Sequence, residues 1–130
     1  MIKKILILLI IFNTNTNIIR PFNVYGPGMN QKDYRVLPNF ANNIVNNKPL
    51  KIYGNGNQTR TYCYIADAIT GFLKVIIRGK KGQAYNIGNS KPEVSVIELF
   101  DIIRKVYSSD IIFTKVPYPK SYPEDEPQRR

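Results

Sequence analysis

Short β-branched runs alternating with segments of helical period predict an α/β fold for this 130-residue chain. Two further features support that class. Ser95-Val96-Ile97-Glu98 has the spacing of a capping box ahead of an apolar helix. Glycine-rich loops follow the candidate strands, and α/β sheets gather ligands at that carboxyl edge.

The elements follow in order. Lys3 and Lys4 precede an apolar run from Ile5 to Phe12, which is too short to span a bilayer as a helix. It is read as a helix or strand remnant that packs against a neighbour. The alternative, a secretory leader, lacks a small-residue cleavage pattern, because Asn13-Thr14-Asn15-Thr16-Asn17 follows. Ile18-Ile19 is a short buried strand that stops at Arg20-Pro21-Phe22, and Asn23 to Met29 is a tight loop. Val36, Leu37, Phe40, Ala41, Ile44 and Val45 recur at helical spacing, with Pro38 in the first turn and Asn47-Lys48-Pro49 as the stop. Leu50 to Tyr53 is a strand, and Gly54-Asn55-Gly56-Asn57 reads as a hairpin turn. Thr59 to Ile65 alternates β-formers and leads to Asp67, the expected N-cap of a helix through Ile77 that buries Ile69, Phe72, Leu73 and Ile76. Gly79 stops it. Ala84 to Ile87 is a strand closed by Gly88, in which Tyr85 and Ile87 pack while Asn86 ties down backbone. The capping box opens a helix with Ile97, Phe100, Ile103 and Val106 inward, and Ile111 to Val116 is the last strand. From Pro117 the chain turns to proline and charge, a surface segment that needs a ligand or partner to order it.

Composition narrows the chemistry. Apolar content of 43% and charged content of 22% suit a globular domain, and the length suits one domain. The 19 Lys and Arg against 9 Asp and Glu give a net charge of +10, which favours anionic partners. No histidine is present, so an imidazole base and a His-ligated metal are both excluded. The single Cys63 excludes an internal disulfide and a Cys-cluster metal site, and its setting between Tyr62 and Tyr64 reads as a buried strand thiol.

Four blocks carry chemistry. The first is Arg20-Pro21-Phe22-Asn23-Val24-Tyr25-Gly26-Pro27-Gly28, where glycine and proline fix the backbone so that Asn23 can present its amide to a ligand. The second, Ile52-Tyr53-Gly54-Asn55-Gly56-Asn57-Gln58-Thr59-Arg60-Thr61-Tyr62-Cys63-Tyr64-Ile65-Ala66-Asp67, sets one guanidinium beside a glycine loop; its planar fork suits a diphosphate. It is not a dinucleotide fingerprint, since position 59 is Thr where a third glycine would stand. Ala84-Tyr85-Asn86-Ile87-Gly88 is the third and Tyr122-Pro123-Glu124-Asp125-Glu126-Pro127-Gln128-Arg129 the fourth.

In this order the blocks resemble the C-terminal, substrate-binding part of extended short-chain dehydrogenase/reductases, the NAD-dependent epimerases and dehydratases of nucleotide sugars. The wording is nearest UDP-glucuronate decarboxylases and UDP-sugar 4-epimerases. The resemblance implies residues 1–20 as a remnant of the Rossmann half and 21–130 as a nucleotide-sugar-binding domain cut short at its C-terminus. It implies a UDP-sugar as ligand, with Arg60 on the diphosphate, Tyr53 in the uracil pocket, Asp125 on the ribose and Asn23 on the ligand. Pro21 and Phe22 fall on the nicotinamide side. Many epimerases place an Arg three residues before the matching Asp; here that residue is Tyr122, and Arg129 is the candidate replacement.

The family oxidises its sugar with NAD held by a G-x-x-G-x-x-G loop and a base in a Tyr-x-x-x-Lys pair. Neither motif occurs in these 130 residues. The resemblance therefore implies an inactive, cytoplasmic, non-membrane UDP-sugar-binding chain that holds no NAD alone and pairs with a separate Rossmann half or with itself. Two other classes stay open: a basic nucleic-acid-binding module, against which the Lys and Arg are scattered, and a non-catalytic subunit of a split enzyme.

Overall fold

The computed structural model describes residues 16–30, 33 and 35–118. The strands are β1 (Ile18–Pro21), β2 (Val24–Tyr25), β3 (Leu50–Tyr53), β4 (Thr59–Thr61), β5 (Cys63–Tyr64), β6 (Ala84–Ile87), β7 (Glu93–Ser95) and β8 (Phe113–Val116). The helices are α1 (Val36–Val45), α2 (Ile65–Arg78) and α3 (Val96–Val106). The chain divides into two compact units, one of Met1–Val24 with Tyr62–Asn89, the other of Tyr25–Thr61 with Ser90–Arg130.

The first unit is a strand–helix–strand crossover. β1 and β6 pair in parallel from Ile18 opposite Ala84 to Pro21 opposite Ile87, and α2 joins them. A parallel pair needs such a crossover, because a tight turn cannot return the chain in the same direction. Ala68 and Val75 are the buried residues of α2. Gly71 sits where a Cβ would come within 2.8 Å of Ile87, so its missing side chain lets the helix press onto β6.

Here the structure corrects three expectations. The helix begins at Ile65, with Tyr64 in extended backbone as its N-cap, so Asp67 is a first-turn residue and caps nothing. A carboxylate in that turn still faces the positive end of the helix dipole. The buried face runs through the small residues, and Ile69, Leu73 and Ile76 are 49%, 52% and 74% exposed. In β6, Tyr85 and Ile87 are half-buried as expected, with the Tyr85 hydroxyl accepting from the Lys80 amide at 2.7 Å. The backbone tie comes from Asn89, whose Nδ2 donates to the Tyr62 carbonyl at 2.9 Å, and not from Asn86.

The second unit is built on two further strand pairs. β3 and β8 are parallel, Leu50 opposite Phe113 and Tyr53 opposite Val116, while β4 and β7 are antiparallel. Gly54–Asn57 is therefore a turn between strands of different pairs and makes no hairpin. β7 had no signal in the sequence, and β8 begins at Phe113, two residues later than expected. Phe40 of α1, Leu50 and Ile52 of β3, and Val96, Leu99 and Phe100 of α3 are buried in this unit. Phe100 meets Phe113 edge-on at 4.8 Å. The expected inward residues Val45 and Val106 are exposed, because α1 turns Pro38, Phe40 and Asn43 inward and α3 turns its first turn inward.

Both helix ends are chemically specified. α1 stops in a Schellman motif: Asn47 has a φ of 52°, its amide bonds the Ile44 carbonyl, and the Lys48 amide bonds the Asn43 carbonyl. The capping box at α3 is formed, with the Glu98 amide on Ser95 Oγ at 3.1 Å and the Ser95 amide on Glu98 Oε2 at 2.7 Å. Ser95→Ala should destabilise the chain by about 1 kcal/mol, read by urea denaturation. The Ser95 amide and hydroxyl hold the Glu98 carboxyl below its ordinary pKa. A lowered folded pKa stabilises above the unfolded value, so the capping contribution should fade as pH falls through the carboxylate range. Both wild type and Ser95→Ala, which keeps the Ser95 amide, should lose that contribution in acid, while the lost bond from the Glu98 amide to Ser95 Oγ should separate the two curves at every pH.

Candidate functional site

In the second unit the site residues gather around the loop that leaves β3. Tyr53 closes the strand at the carboxyl end of the parallel pair, half-buried, with its ring stacked on Tyr118 at 6.1 Å and 22° between planes. Gly54 makes this possible. Its φ is +64°, and a Cβ there would lie 2.5 Å from Tyr118 Cε2. The Gly54 amide continues the ladder to the Val116 carbonyl at 3.0 Å. Asn55 Oδ1 accepts from the Asn57 amide at 3.0 Å, a side-chain turn that shapes the loop. Gln58 Nε2 donates to the Tyr53 carbonyl at 3.3 Å, and its buried Oε1 has no hydrogen-bond partner among the described residues. Arg60 lies on β4 opposite Val94, half-buried, with Nη1 donating to the Thr59 carbonyl at 2.7 Å. The Thr59 hydroxyl donates to Glu93 Oε1 at 2.6 Å and moors β4 to β7.

In the first unit, Pro21 ends β1 and the Phe22 amide bonds the Ile87 carbonyl at 2.8 Å, extending the parallel ladder. Asn23 takes a left-handed φ of 44°, a conformation Asn tolerates better than most residues. Its carbonyl accepts from the Cys63 amide at 3.2 Å. Its Nδ2 is buried and has no hydrogen-bond partner among the described residues. An unpaired buried donor costs about 1–3 kcal/mol, and such a group is ready for an acceptor. Cys63 is the buried strand thiol expected, and burial with the nearby Asp67 raises its pKa, which suppresses the reactive thiolate. A shallow groove of about 320 Å³ beside it is lined by Asp67, Thr70, Lys74, Asn86 and Asn89.

The structure thus brings Tyr53 and Arg60 to the two ends of one loop and sets Pro21, Phe22 and Asn23 at the end of β1 in the other unit. Asp125, Arg129 and Tyr122 lie outside the described residues. Motif and spacing assign no role to Gln58, although it stands inside the second motif, or to Tyr118, whose place follows only from the β3–β8 pairing. Among the described residues no helix is long and apolar enough to cross a membrane.

The β1–α2–β6 parallel crossover of the first unit, and the glycine loop of the second that carries Tyr53 and Arg60, have counterparts in known proteins. The model of the NAD dependent epimerase/dehydratase family matches residues 11–88, and this chain belongs to that family. It is 33% identical to UDP-glucuronic acid decarboxylase 6 of Arabidopsis thaliana over 113 residues, which is 87% of this chain and 32% of the relative. To the human dTDP-D-glucose 4,6-dehydratase it is 35% identical, covering 84% of this chain and 31% of the relative. Among solved structures it is similar to the UDP-glucuronic acid 4-epimerase from Bacillus cereus in complex with UDP-glucuronic acid and NAD. That match has a TM-score of 0.77 and 30% identity over 95% of this chain and 38% of the other. The chain spans about a third of the length of the curated relatives it matches. The extended short-chain dehydrogenase/reductase fold expected from the four blocks is the fold found.

Proposed function

We propose that this chain binds the nucleoside diphosphate end of a UDP-sugar. Arg60 grips the diphosphate, Tyr53 lies beside the uracil, Asn23 donates its amide to the ligand, Asp125 holds the ribose, and Arg129 adds a second diphosphate contact. The observation that carries the reading is the placing of Tyr53 and Arg60 at the two ends of one glycine loop, at the carboxyl end of a parallel strand pair. The unpaired Asn23 amide supports it. We assign residues 1–20 to the Rossmann side and 21–130 to the nucleotide-sugar side of such an enzyme.

The NAD found in the epimerase complex meets a partial fit here. Pro21 and Phe22 offer an apolar wall for its nicotinamide side, but these 130 residues hold no glycine phosphate loop and no Tyr-x-x-x-Lys base. No redox step follows from the residues present. The purified chain should therefore show no turnover of UDP-glucuronate or UDP-glucose with added NAD, followed by product chromatography. Chain-dependent formation of UDP-xylose or UDP-galactose would overturn this.

One observation favours a second reading, in which another chain supplies the NAD-binding half. Among the described residues β1 and β6 pair only with each other, and parallel sheets are normally covered on both faces and extended at their edges. Turnover that appears only when a separate Rossmann half is added would select that reading.

A further inference from the structure

Tyr118 reaches the candidate site by register. Val116 stands opposite Tyr53 in the parallel β3–β8 pair, and Tyr118 follows two residues later. Residues two apart in extended chain share a face, so Tyr118 falls on the side of the pair that Tyr53 occupies, at its carboxyl edge. The two rings are nearly parallel there, with 22° between planes and 6.1 Å between centroids. They differ in setting. Tyr53 is half-buried in the strand, and Gln58 Nε2 donates to its carbonyl and steadies the strand's end. Tyr118 is 40% exposed and lies over Gly54, where any side chain would strike its ring. An aromatic pair serving the core alone would bury both rings. This one keeps its outer ring partly in water.

We propose that Tyr118 is the second wall of a clamp that holds a nucleobase between its own ring and that of Tyr53. The inference rests on the UDP reading above and adds the residue that covers the other face of the base. Carbon atoms in van der Waals contact lie about 3.5–4.0 Å apart, so a flat ring with a neighbour on each face needs at least about 7 Å between them. The pair at 6.1 Å is about 1 Å short of that, and rotation of the partly exposed Tyr118 side chain supplies the difference. Every base has an aromatic face, whatever its edges carry, and stacks on tyrosine for that reason. Among flat groups a nucleobase is selected by Arg60, at the far end of the same loop, whose guanidinium suits the diphosphate that such a base carries.

The test compares UDP with inorganic pyrophosphate by calorimetry on the full 130-residue chain. Tyr118→Leu removes the ring and should weaken UDP about tenfold, the worth of stacking on one face of a base, while pyrophosphate binding stays unchanged. Tyr118→Phe keeps the ring and should bind UDP as wild type does. If Tyr118→Leu does not fold, proton NMR of wild type with UDP still decides. Uracil H5 and H6 should show nuclear Overhauser contacts to the rings of both Tyr53 and Tyr118. The clamp is overturned by UDP binding that Tyr118→Leu leaves unchanged, by an equal loss for UDP and pyrophosphate, or by contacts to Tyr53 alone. Each of those results leaves the diphosphate contact of Arg60 standing. Wild type that binds neither ligand overturns the UDP reading, and the clamp with it.

Discussion

Phe40→Ala should destabilise the chain by about 3–5 kcal/mol, the cost of removing a large buried aromatic and leaving a cavity. Phe40 is 1% exposed and sits where α1 packs on β3, the strand that carries Tyr53. A small domain has only about 5–15 kcal/mol in total, so the variant should approach unfolding at room temperature. The matched control is Val45→Ala on the same helix: Val45 is 79% exposed, and its loss should change stability by less than about 0.5 kcal/mol. Urea denaturation of both variants checks the pair. Equal effects would mean that α1 does not pack through the face described.

What the residues foretold follows their physics. The α1 stop, the β1, β3 and β6 strands and the α3 capping box depend on local chemistry: an Asn two places ahead of a proline, short β-branched runs, a Ser three places ahead of a Glu. Such signals are local and survive in a bare sequence. Which face of a helix is buried is a tertiary matter. For α2 the spacing marked the large residues Ile69, Leu73 and Ile76, but a close helix–strand approach favours small ones, and Ala68 and Gly71 take the contact. Asp67 resembled an N-cap because nothing in the local sequence showed that Tyr64 already leaves the strand. The Gly54–Asn57 segment had the composition of a hairpin turn; strand pairing at long range decided otherwise, with β8 taking the edge of β3. Within the candidate site, Tyr53 and Arg60 were legible from a motif. Tyr118 was not, since 65 residues separate it from the ring it stacks on.

The second large effect concerns Arg60, and it bears most directly on what the chain binds. A charge-assisted hydrogen bond is worth about 1.5–3 kcal/mol. Each 1.4 kcal/mol is tenfold in affinity, so Arg60→Lys, which keeps the charge and loses the planar fork, should weaken UDP by about tenfold. Arg60→Ala should weaken it further. The residue's pairing with β7 is through its backbone, and the side-chain bond described above, Nη1 to the Thr59 carbonyl, is to its own chain neighbour, so both variants should keep their urea midpoint near that of wild type. A basic nucleic-acid-binding surface would behave differently. With 19 Lys and Arg sharing the load, losing one would matter little, and affinity would fall steeply with salt.

The deciding measurement is calorimetric titration of UDP, and separately of a random-sequence oligonucleotide, into wild type and Arg60→Lys at two salt concentrations. UDP should bind wild type at both salts and lose about tenfold in the variant, a difference of one charge-assisted contact. The oligonucleotide should bind weakly and without regard to residue 60. UDP binding that Arg60→Lys leaves unchanged would contradict the site, and tight, salt-sensitive oligonucleotide binding without any for UDP would contradict the function.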